Sequence, residues 1–334
     1  MARRRSGMSR RKLIELVLPL AAALAPGLAS AQAWLPDEGT LNTSLLFNNQ
    51  LYTAHWSATG DTLPGINVRA DTLAFLASYG ITDRVMVSGV LPYIHTRYKG
   101  PPSHRPPGTP PGTPPPPGFE VDDGSWHGYV TDLRVGLHYQ LLEKPFALAP
   151  FIAYVTPVTD YPTRGHAAPG RGLNELMLGF NAGKSLDAWI PRTYAQLRYS
   201  YALVEEVHDV THNRSNLNLE LGTFFTPRWN VSLYAGRQWT HGGIDAPVPP
   251  TSPYFFDHDV LADAEFFNVG FGTGFALTPE LTAYATYMQD VDGKNGHKVD
   301  QAITVGISYG YRPRAEGVGL AAAETNDAVP ESGD

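Results

Sequence analysis

Two stretches of the chain carry histidine and carboxylate side chains at spacings that metal sites use. His208 and His212 are four residues apart, which on a helix would place both imidazoles on one face. The run Asp-His-Asp at 257–259 is followed by Asp263, and such oxygen ligands suit a divalent cation. Neither stretch supplies a full ligand set. We expect solvated loops at both, with a surface cation at the second as the alternative.

Nucleophilic hydrolysis requires a serine or cysteine and a base beside it. The chain has no cysteine, which excludes cysteine nucleophiles, thiolate metal sites and disulfides. No His-x-Ser pair stands on a predicted strand, and the nearest arrangement, Asn213-Arg214-Ser215-Asn216, gives Arg214 no role in such chemistry. Phosphate loops, dinucleotide-binding glycine patterns and zinc motifs are also missing from the sequence. We expect neither an enzyme nor a cofactor.

The elements that position these residues are strands, because apolar and small or polar residues alternate in segment after segment. The closing segment places Ile303, Val305 and Ile307 on one face and Thr304 and Gly306 on the other. We predict twelve strands, at 40–55, 66–79, 84–98, 128–141, 146–159, 173–184, 193–204, 214–225, 229–241, 265–276, 281–290 and 301–311.

The connections between these segments are predicted to alternate in length. Short turns fall near 80–83, 142–145, 185–192, 226–228 and 278–280, and longer polar segments at 56–65, 99–126, 160–172, 205–213, 242–264 and 291–297. Outer-membrane barrels sort their connections in this way, with short periplasmic turns, longer extracellular loops and an even strand number. The sequence therefore predicts an all-β fold, a transmembrane antiparallel up-and-down β-barrel of about 12 strands.

The ends of the chain differ in composition from this barrel region. Residues 1–31 have a basic start, an apolar stretch and small-x-small cleavage patterns, which predict a secretory signal peptide. The barrel is predicted to span 34–311, with a proline-rich extracellular loop at 99–126, and residues 312–334 to form a disordered polar tail. Without 1–31 the chain keeps 19 Lys and Arg against 31 Asp and Glu, an acidity that argues against nucleic-acid binding.

Several runs in the first half of the predicted barrel resemble one outer-membrane family. The resemblance lies at 79–87 (Tyr-Gly-Ile-Thr-Asp-Arg-Val-Met-Val), 90–93, 131–137, 148–150 and 156–161. These runs are similar to the family described as "putative MetA-pathway of phenol degradation", whose members are called transporter-like. The resemblance implies a bacterial outer-membrane location and uptake of aromatic or hydrophobic compounds. It implies no catalytic residues.

Polar residues on the strand face opposite the apolar one are our candidates for the lumen. They are Asp132, Arg134, His138, Gln196, Arg198, Glu220, Gln238 and Tyr284. An inward orientation is favoured because Arg or Lys facing lipid at mid-depth costs ~2–4 kcal/mol. Either these groups line a path that selects a solute, or they pair into a plug that holds a narrow barrel together. Arg134 and Arg198 are the most specific candidates for contact with an anionic or phenolic solute.

We therefore expect an outer-membrane channel that passively admits small solutes, aromatic or hydrophobic ones among them. A structural or surface-interaction barrel with a plugged lumen is the alternative. A lipid hydrolase is less favoured, although some twelve-stranded outer-membrane barrels are phospholipases. The expected partners are outer-membrane lipid and lipopolysaccharide, a small-molecule solute and the barrel-assembly machinery, with no nucleic acid.

Overall fold

The computed structural model describes residues 33–100, 110, 113–249 and 251–312. The predicted signal peptide and all but the first residue of the predicted tail lie outside these ranges, as does much of the proline-rich loop. The described chain forms a closed antiparallel barrel of twelve strands, which confirms the predicted fold class. Consecutive strands are hydrogen-bonded neighbours throughout, so the topology is up-and-down.

Each strand is paired with the strands before and after it, and β4 has two segments, His127–Val130 and Asp132–Tyr139. The other strands are β1 (Leu41–Trp56), β2 (Thr62–Thr82), β3 (Val85–Tyr98), β5 (Ala147–Pro157), β6 (Glu175–Ser185), β7 (Thr193–Val204), β8 (His212–Thr226), β9 (Trp229–Gly242), β10 (Glu265–Ala276), β11 (Leu281–Lys294) and β12 (Gly296–Tyr311). A short 3-10 helix, Glu120–Asp122, and a short α-helix, α1 (His258–Leu261), lie in the connections.

Pairing of β1 with β12 closes the barrel along a seam that runs the full length of both strands. On the inner face of the seam, Asn48 Nδ2 donates to Thr304 Oγ1 over 2.8 Å. The hydroxyls of Ser44 and Ser308 lie 2.7 Å apart. Closure leaves the barrel without the unpaired strand edges that an open sheet would expose.

The barrel is apolar on its outside and polar on its inside. Ile303, Val305 and Ile307 are 43%, 47% and 48% exposed, whereas Thr304 between them is 0% exposed. Large apolar side chains project outward in the same way from the other strands, and aromatic residues such as Trp229 lie near strand ends. A soluble barrel would bury these groups, so the pattern is that of a barrel surrounded by lipid. No helix in the described part of the chain is both long and apolar enough to cross a membrane.

The longest connections all lie at one end of the barrel, which we call the long-loop end, and the other is the short-turn end. At the long-loop end the connections are 57–61, 99–126, 158–174, 205–211, 243–264 and Asn295 alone. The prediction of long segments at 56–65 and 291–297 was therefore wrong. The reason is that β1, β2, β11 and β12 continue past the apolar band as paired strands, so little chain remains for a loop.

A register irregularity interrupts β4 at Thr131, where the sequence predicts one continuous strand. The partner in β3 is Pro92, which has no N–H to donate, and the Thr131 amide instead donates to the Pro92 carbonyl over 3.1 Å. The pairing is displaced by one residue across this point, from Tyr93–Val130 to Val90–Arg134. Strict alternation along the strand would turn Thr131 outward with Leu133. The irregularity instead turns it inward, where it is 2% exposed.

The connection 158–174 folds into the barrel at the long-loop end. Its residues 165–171 are all buried, and Ala167 packs in an apolar cluster with Tyr52, Val68 and Tyr98 from the barrel wall. Val121 of the 3-10 helix joins the same cluster. The long-loop end is therefore covered by its own loops, and the site described below lies beneath this cover.

Candidate functional site in the barrel lumen

Two arginines, Arg134 of β4 and Arg198 of β7, lie where two cavities of the lumen meet, and we call them the arginine layer. Both line a cavity of about 250 Å³ toward the long-loop end and a cavity of about 530 Å³ toward the short-turn end. The Arg198 guanidinium carbon lies 4.1 Å from the centre of the Phe151 ring, and its Nη1 donates to Asn181 Oδ1 over 3.3 Å. Among the described residues, Arg134 has no carboxylate within ion-pair distance.

Glycine at position 179 makes room for the ring beneath Arg198. A Cβ atom at Gly179 would lie 2.7 Å from the Phe151 ring and 2.2 Å from the Tyr199 carbonyl oxygen. The aromatic face can therefore lie close to the wall, where it attracts the cation by its quadrupole. Arg198 thus lies over an aromatic face and lines both cavities.

The lower cavity, at the short-turn end, is partly filled by the first described residues of the chain. Trp34, Leu35 and Pro36 line it. Gln140 holds this segment, since its Oε1 accepts from the Leu35 amide over 2.9 Å and its Nε2 donates to the Ala33 carbonyl over 3.1 Å. The segment narrows the path below the arginine layer.

Two of the predicted lumen residues belong to this lower part. Gln196 Oε1 accepts from the Ala33 amide over 3.3 Å. His138 lines the lower cavity, and its Nε2 lies 3.0 Å from Ser88 Oγ.

The upper cavity contains three further arginines. Arg214 forms an ion pair with Glu175, and Arg237 is paired with Glu265 over 3.1 Å. Arg171, from the inward-folded loop, is 6% exposed and lines the same cavity. Its Nε and Nη1 have no hydrogen-bond partner within the described chain. Burial, with Arg214 nearby, lowers the pKa of Arg171 to about 9, so it remains a cation at neutral pH.

The other predicted candidates also lie on the inner side. Asp132 lines the upper cavity and accepts a hydrogen bond from the Tyr161 hydroxyl of the inward-folded loop, and Gln238 lines the same cavity. Glu220 Oε1 accepts from the Tyr194 hydroxyl over 2.6 Å. The Tyr284 hydroxyl is buried, without a hydrogen-bond partner in the described ranges. The lumen carboxylates Asp132 and Glu220 thus accept from tyrosine hydroxyls, and Glu175 is paired with Arg214.

The stretches with metal-type spacing do not form the clusters that their spacing allows. His208 lies in a turn, with its Nε2 2.9 Å from Asp257 Oδ2, and His212 begins β8. The Asp257 carboxylate also forms an ion pair with Arg164, and the Asp263 carboxylate forms one with Lys294 over 2.8 Å. In the described part of the chain, Asp257 and Asp263 are therefore paired with basic side chains and do not form a common metal site.

A serine and a histidine do meet on the wall, across strands instead of along one. Ser215 Oγ of β8 lies 2.7 Å from His241 Nε2 of β9 and 3.2 Å from the Tyr199 hydroxyl. No carboxylate or amide oxygen of the described residues is hydrogen-bonded to His241. Ser88 and His138 make the same serine–histidine hydrogen bond in the lumen. Such a bond alone therefore does not identify a nucleophile.

Sequence inspection missed several residues of the lumen. The Phe151 ring lies beneath Arg198. Gln140 binds the N-terminal segment, and Arg171 lines the upper cavity. Gln140 has the inward parity, so a search of every inward polar residue would have found it. Arg171 lies in a loop, and nothing in the local sequence indicates that this loop enters the barrel.

Together the fold and the lumen define a transmembrane β-barrel of the outer-membrane type. Residues 54–305 match the family model described as "Putative MetA-pathway of phenol degradation", and the chain belongs to that family. No curated protein sequence matches the chain.

Solved structures of similar fold are outer-membrane barrels. The COG4313 outer membrane channel from Pseudomonas putida F1 is 13% identical and covers 85% of this chain and 100% of its own, with a TM-score of 0.62. The NanC porin is 10% identical and covers 80% of this chain and 98% of its own, with a TM-score of 0.45. The translocator domain of the autotransporter NalP from Neisseria meningitidis is 10% identical and covers 82% of this chain and 89% of its own, with a TM-score of 0.46.

Proposed function

We propose that this chain is an outer-membrane channel for small anionic solutes, with aromatic carboxylates and phenolates as the preferred class. One observation carries the proposal: Arg134 and Arg198 line both the upper and the lower cavity, so a solute that crosses the lumen passes them. Arg134 forms no ion pair with a described carboxylate and Arg198 lies over the Phe151 ring, so the layer presents positive charge to a solute.

The surroundings of the arginine layer favour an anion with a flat apolar part. A charge in a narrow lumen with low-dielectric walls attracts its counterion more strongly than the same charge in water. Phe151 presents an aromatic face beside Arg198 at 4.1 Å, and a guanidinium is itself planar. A benzoate-like solute satisfies both features, and the family description, with its reference to phenol degradation, is compatible with it.

On this proposal the short turns face the periplasm and the long loops face the cell exterior, because the signal peptide delivers the chain from the periplasmic side. The apolar band contacts outer-membrane lipid, and the exposed loops lie against lipopolysaccharide. The barrel-assembly machinery inserts the chain.

A closed barrel is the second candidate, and the inward-folded loop favours it. Residues 165–171 are buried beneath the long-loop end, and the segment that starts at Ala33 occupies the lower cavity. In that case the barrel has a structural or surface-interaction role and the arginine layer is part of its packing. Conductance separates the two candidates.

Reversal potentials of the purified chain in planar lipid bilayers, measured in a salt gradient, test the channel. We expect anion preference, and we expect Arg134→Gln and Arg198→Gln each to reduce the anion-to-cation permeability ratio several-fold. Arg228→Gln, in the turn before β9, is the matched control and should leave the ratio unchanged. Liposome swelling with benzoate then tests the solute class.

Three other results would contradict the anion channel. An unchanged ratio in both lumen variants removes the arginine layer as the selective element. Complete absence of conductance and of swelling favours the closed barrel. Ester hydrolysis that is lost in Ser215→Ala would instead identify an enzyme at the Ser215–His241 pair.

A further inference from the structure

Three histidines that are distant in the sequence meet under the cover of the long-loop end. His55 of β1 and His297 of β12 are directly paired across the barrel seam. His166 comes from the inward-folded connection 158–174. Their rings are mutual neighbours, with centroids 4.7 Å apart for His55 and His297, 5.5 Å for His55 and His166, and 5.8 Å for His166 and His297.

The geometry brings one nitrogen from each ring to a common point. These three nitrogens lie within 4.8 Å of one another. In a tetrahedral site with metal–nitrogen distances of ~2.0–2.1 Å the ligand nitrogens are ~3.3 Å apart, so the rings need to approach by roughly 1.5 Å or less. Rotation about the side-chain torsions of the three residues supplies a movement of this size.

Two of the histidines are buried without the partners that buried imidazoles usually have. His55 is 6% exposed and its Nε2 has no hydrogen-bond partner in the described chain. His297 is 9% exposed, and both of its ring nitrogens lack one as well. A buried polar atom without a partner is destabilising, and a metal ion bound to these lone pairs would give them a partner.

The chain also orients His166 through its backbone. Asp122 of the 3-10 helix accepts the amides of His166 and Ala167 with its two carboxylate oxygens, each over 3.0 Å. Gly165 before them has φ +103°, and a Cβ there would lie 3.1 Å from the Asp122 carboxyl carbon. The turn that carries His166 therefore depends on glycine at 165 and on the Asp122 carboxylate.

The surroundings of the cluster are apolar, with carboxylates at its edge. Tyr98 is stacked on the His166 ring at 4.3 Å with an interplanar angle of 15°. Asp259 of α1 is 1% exposed, and its Oδ1 lies 3.2 Å from His258 Nε2. Asp122, which accepts the amides of His166 and Ala167, places one carboxylate beside the loop that carries His166.

We propose that His55, His166 and His297 bind a divalent transition-metal ion of the class that imidazole prefers, such as Zn²⁺, Cu²⁺, Ni²⁺ or Co²⁺. Three imidazole nitrogen ligands match this class and not Ca²⁺ or Mg²⁺, which take oxygen ligands. The bound ion ties the inward-folded loop to both strands of the seam. The site does not depend on solute passage through the lumen.

Metal titration of the purified, tag-free mature chain in detergent tests the site. We expect one Cu²⁺ or Co²⁺ per chain, with nitrogen hyperfine structure in the Cu²⁺ spectrum, and a rise in the melting temperature on addition of Zn²⁺. His55→Gln, His166→Gln and His297→Gln should each weaken binding by at least about 100-fold, since changes in outer-shell groups alone cost 10–100-fold.

His241→Gln is the matched control, since His241 lies on a strand outside the cluster and contacts Ser215. It should retain the full affinity. Heat-modifiable migration in gel electrophoresis shows whether each variant is folded. If a histidine variant fails to fold, Tyr98→Leu replaces it in the test, because this change removes the ring stacked on His166 and leaves all three ligands in place. Equal metal affinity in the chain and in the folded His55→Gln and His297→Gln variants, or a stoichiometry that falls with His241→Gln, overturns the proposal.

Discussion

Arg164 donates two hydrogen bonds to the carboxylate of Asp257, from Nε to Oδ1 over 2.7 Å and from Nη2 to Oδ2 over 2.9 Å. The two residues belong to different connections, 158–174 and 243–264. Oδ2 of Asp257 also lies 2.9 Å from His208 Nε2 in a third connection. One carboxylate therefore joins three of the loops that cover the long-loop end.

Replacement of this carboxylate should loosen the cover while the barrel stays intact. We expect Asp257→Asn to lower the protection of residues 160–173 against hydrogen exchange by an amount on the order of 1 kcal/mol, because a charged bidentate pair is lost but Arg164 is partly exposed. Exchange measured by mass spectrometry checks this. Asp263→Asn, which removes the Lys294 partner in the same connection, is the control. Equal effects of both variants would contradict a specific role for Asp257.

The same contact should give the cover an acid dependence. Burial alone would raise the pKa of Asp257, but the hydrogen bonds and charge of Arg164 and His208 outweigh it and hold the pKa below its ordinary value. A carboxyl whose pKa is depressed by folding contributes stability that is complete above the unfolded pKa of about 3.9. That stability is lost as the pH falls through the lower folded pKa.

Hydrogen exchange of residues 160–173, corrected for intrinsic rates, should thus lose protection as the pH falls below about 4. Asp257→Asn should lack this transition. A transition of the same size in the variant would assign the acid dependence to another group.

Gln140 is expected to control how far the N-terminal segment fills the lower cavity. It contacts this segment through the Leu35 amide and the Ala33 carbonyl, over 2.9 Å and 3.1 Å. Gln140→Ala removes both contacts, so single-channel conductance should rise and become noisier. Gln289→Ala, at a position of outward parity beside Tyr287, is the control. A conductance that is unchanged by Gln140→Ala would show that the segment does not narrow the path.

The outward face of β12 allows a direct test of its lipid contact. Val305→Arg places a charge on the lipid side and should cost ~2–4 kcal/mol if it lies near mid-depth. Thr282→Arg, on the adjacent strand β11, lines the lower cavity and should be tolerated. Thr304 is unsuitable for comparison because it is fully buried and bonded to Asn48. Folding titrations into lipid vesicles measure the difference, and equal losses would contradict the orientation.

Alternation along the strands was sufficient to predict the barrel and the side of the wall on which most residues lie. The prediction works because a barrel wall gives every second residue the same environment, so Ile303, Val305 and Ile307 carry the information locally. It fails where that period is broken. Pro92 displaces the register, and its effect appears on the neighbouring strand at Thr131, far away in the sequence.

The site was less predictable, since contacts between distant segments decide it. Arg134 and Arg198 could be nominated by parity, but the Phe151 ring beneath Arg198 could not. His55, His166 and His297 stand in separate parts of the chain, with no motif to join them. Their meeting depends on closure of the seam and on a loop that turns inward.

The barrel seam also determines when the protein can finish folding. Every other neighbouring pair of strands is joined by one connection, so each can form as a local hairpin. The seam brings Ser44 to Ser308, 264 positions away. Closing a loop of this length costs about 4 kcal/mol more chain entropy than closing a four-residue turn. Contacts of high sequence separation form slowly, and until they form, the first and last strands both expose unpaired backbone. The histidine cluster, which straddles this seam, cannot exist before the last step of assembly.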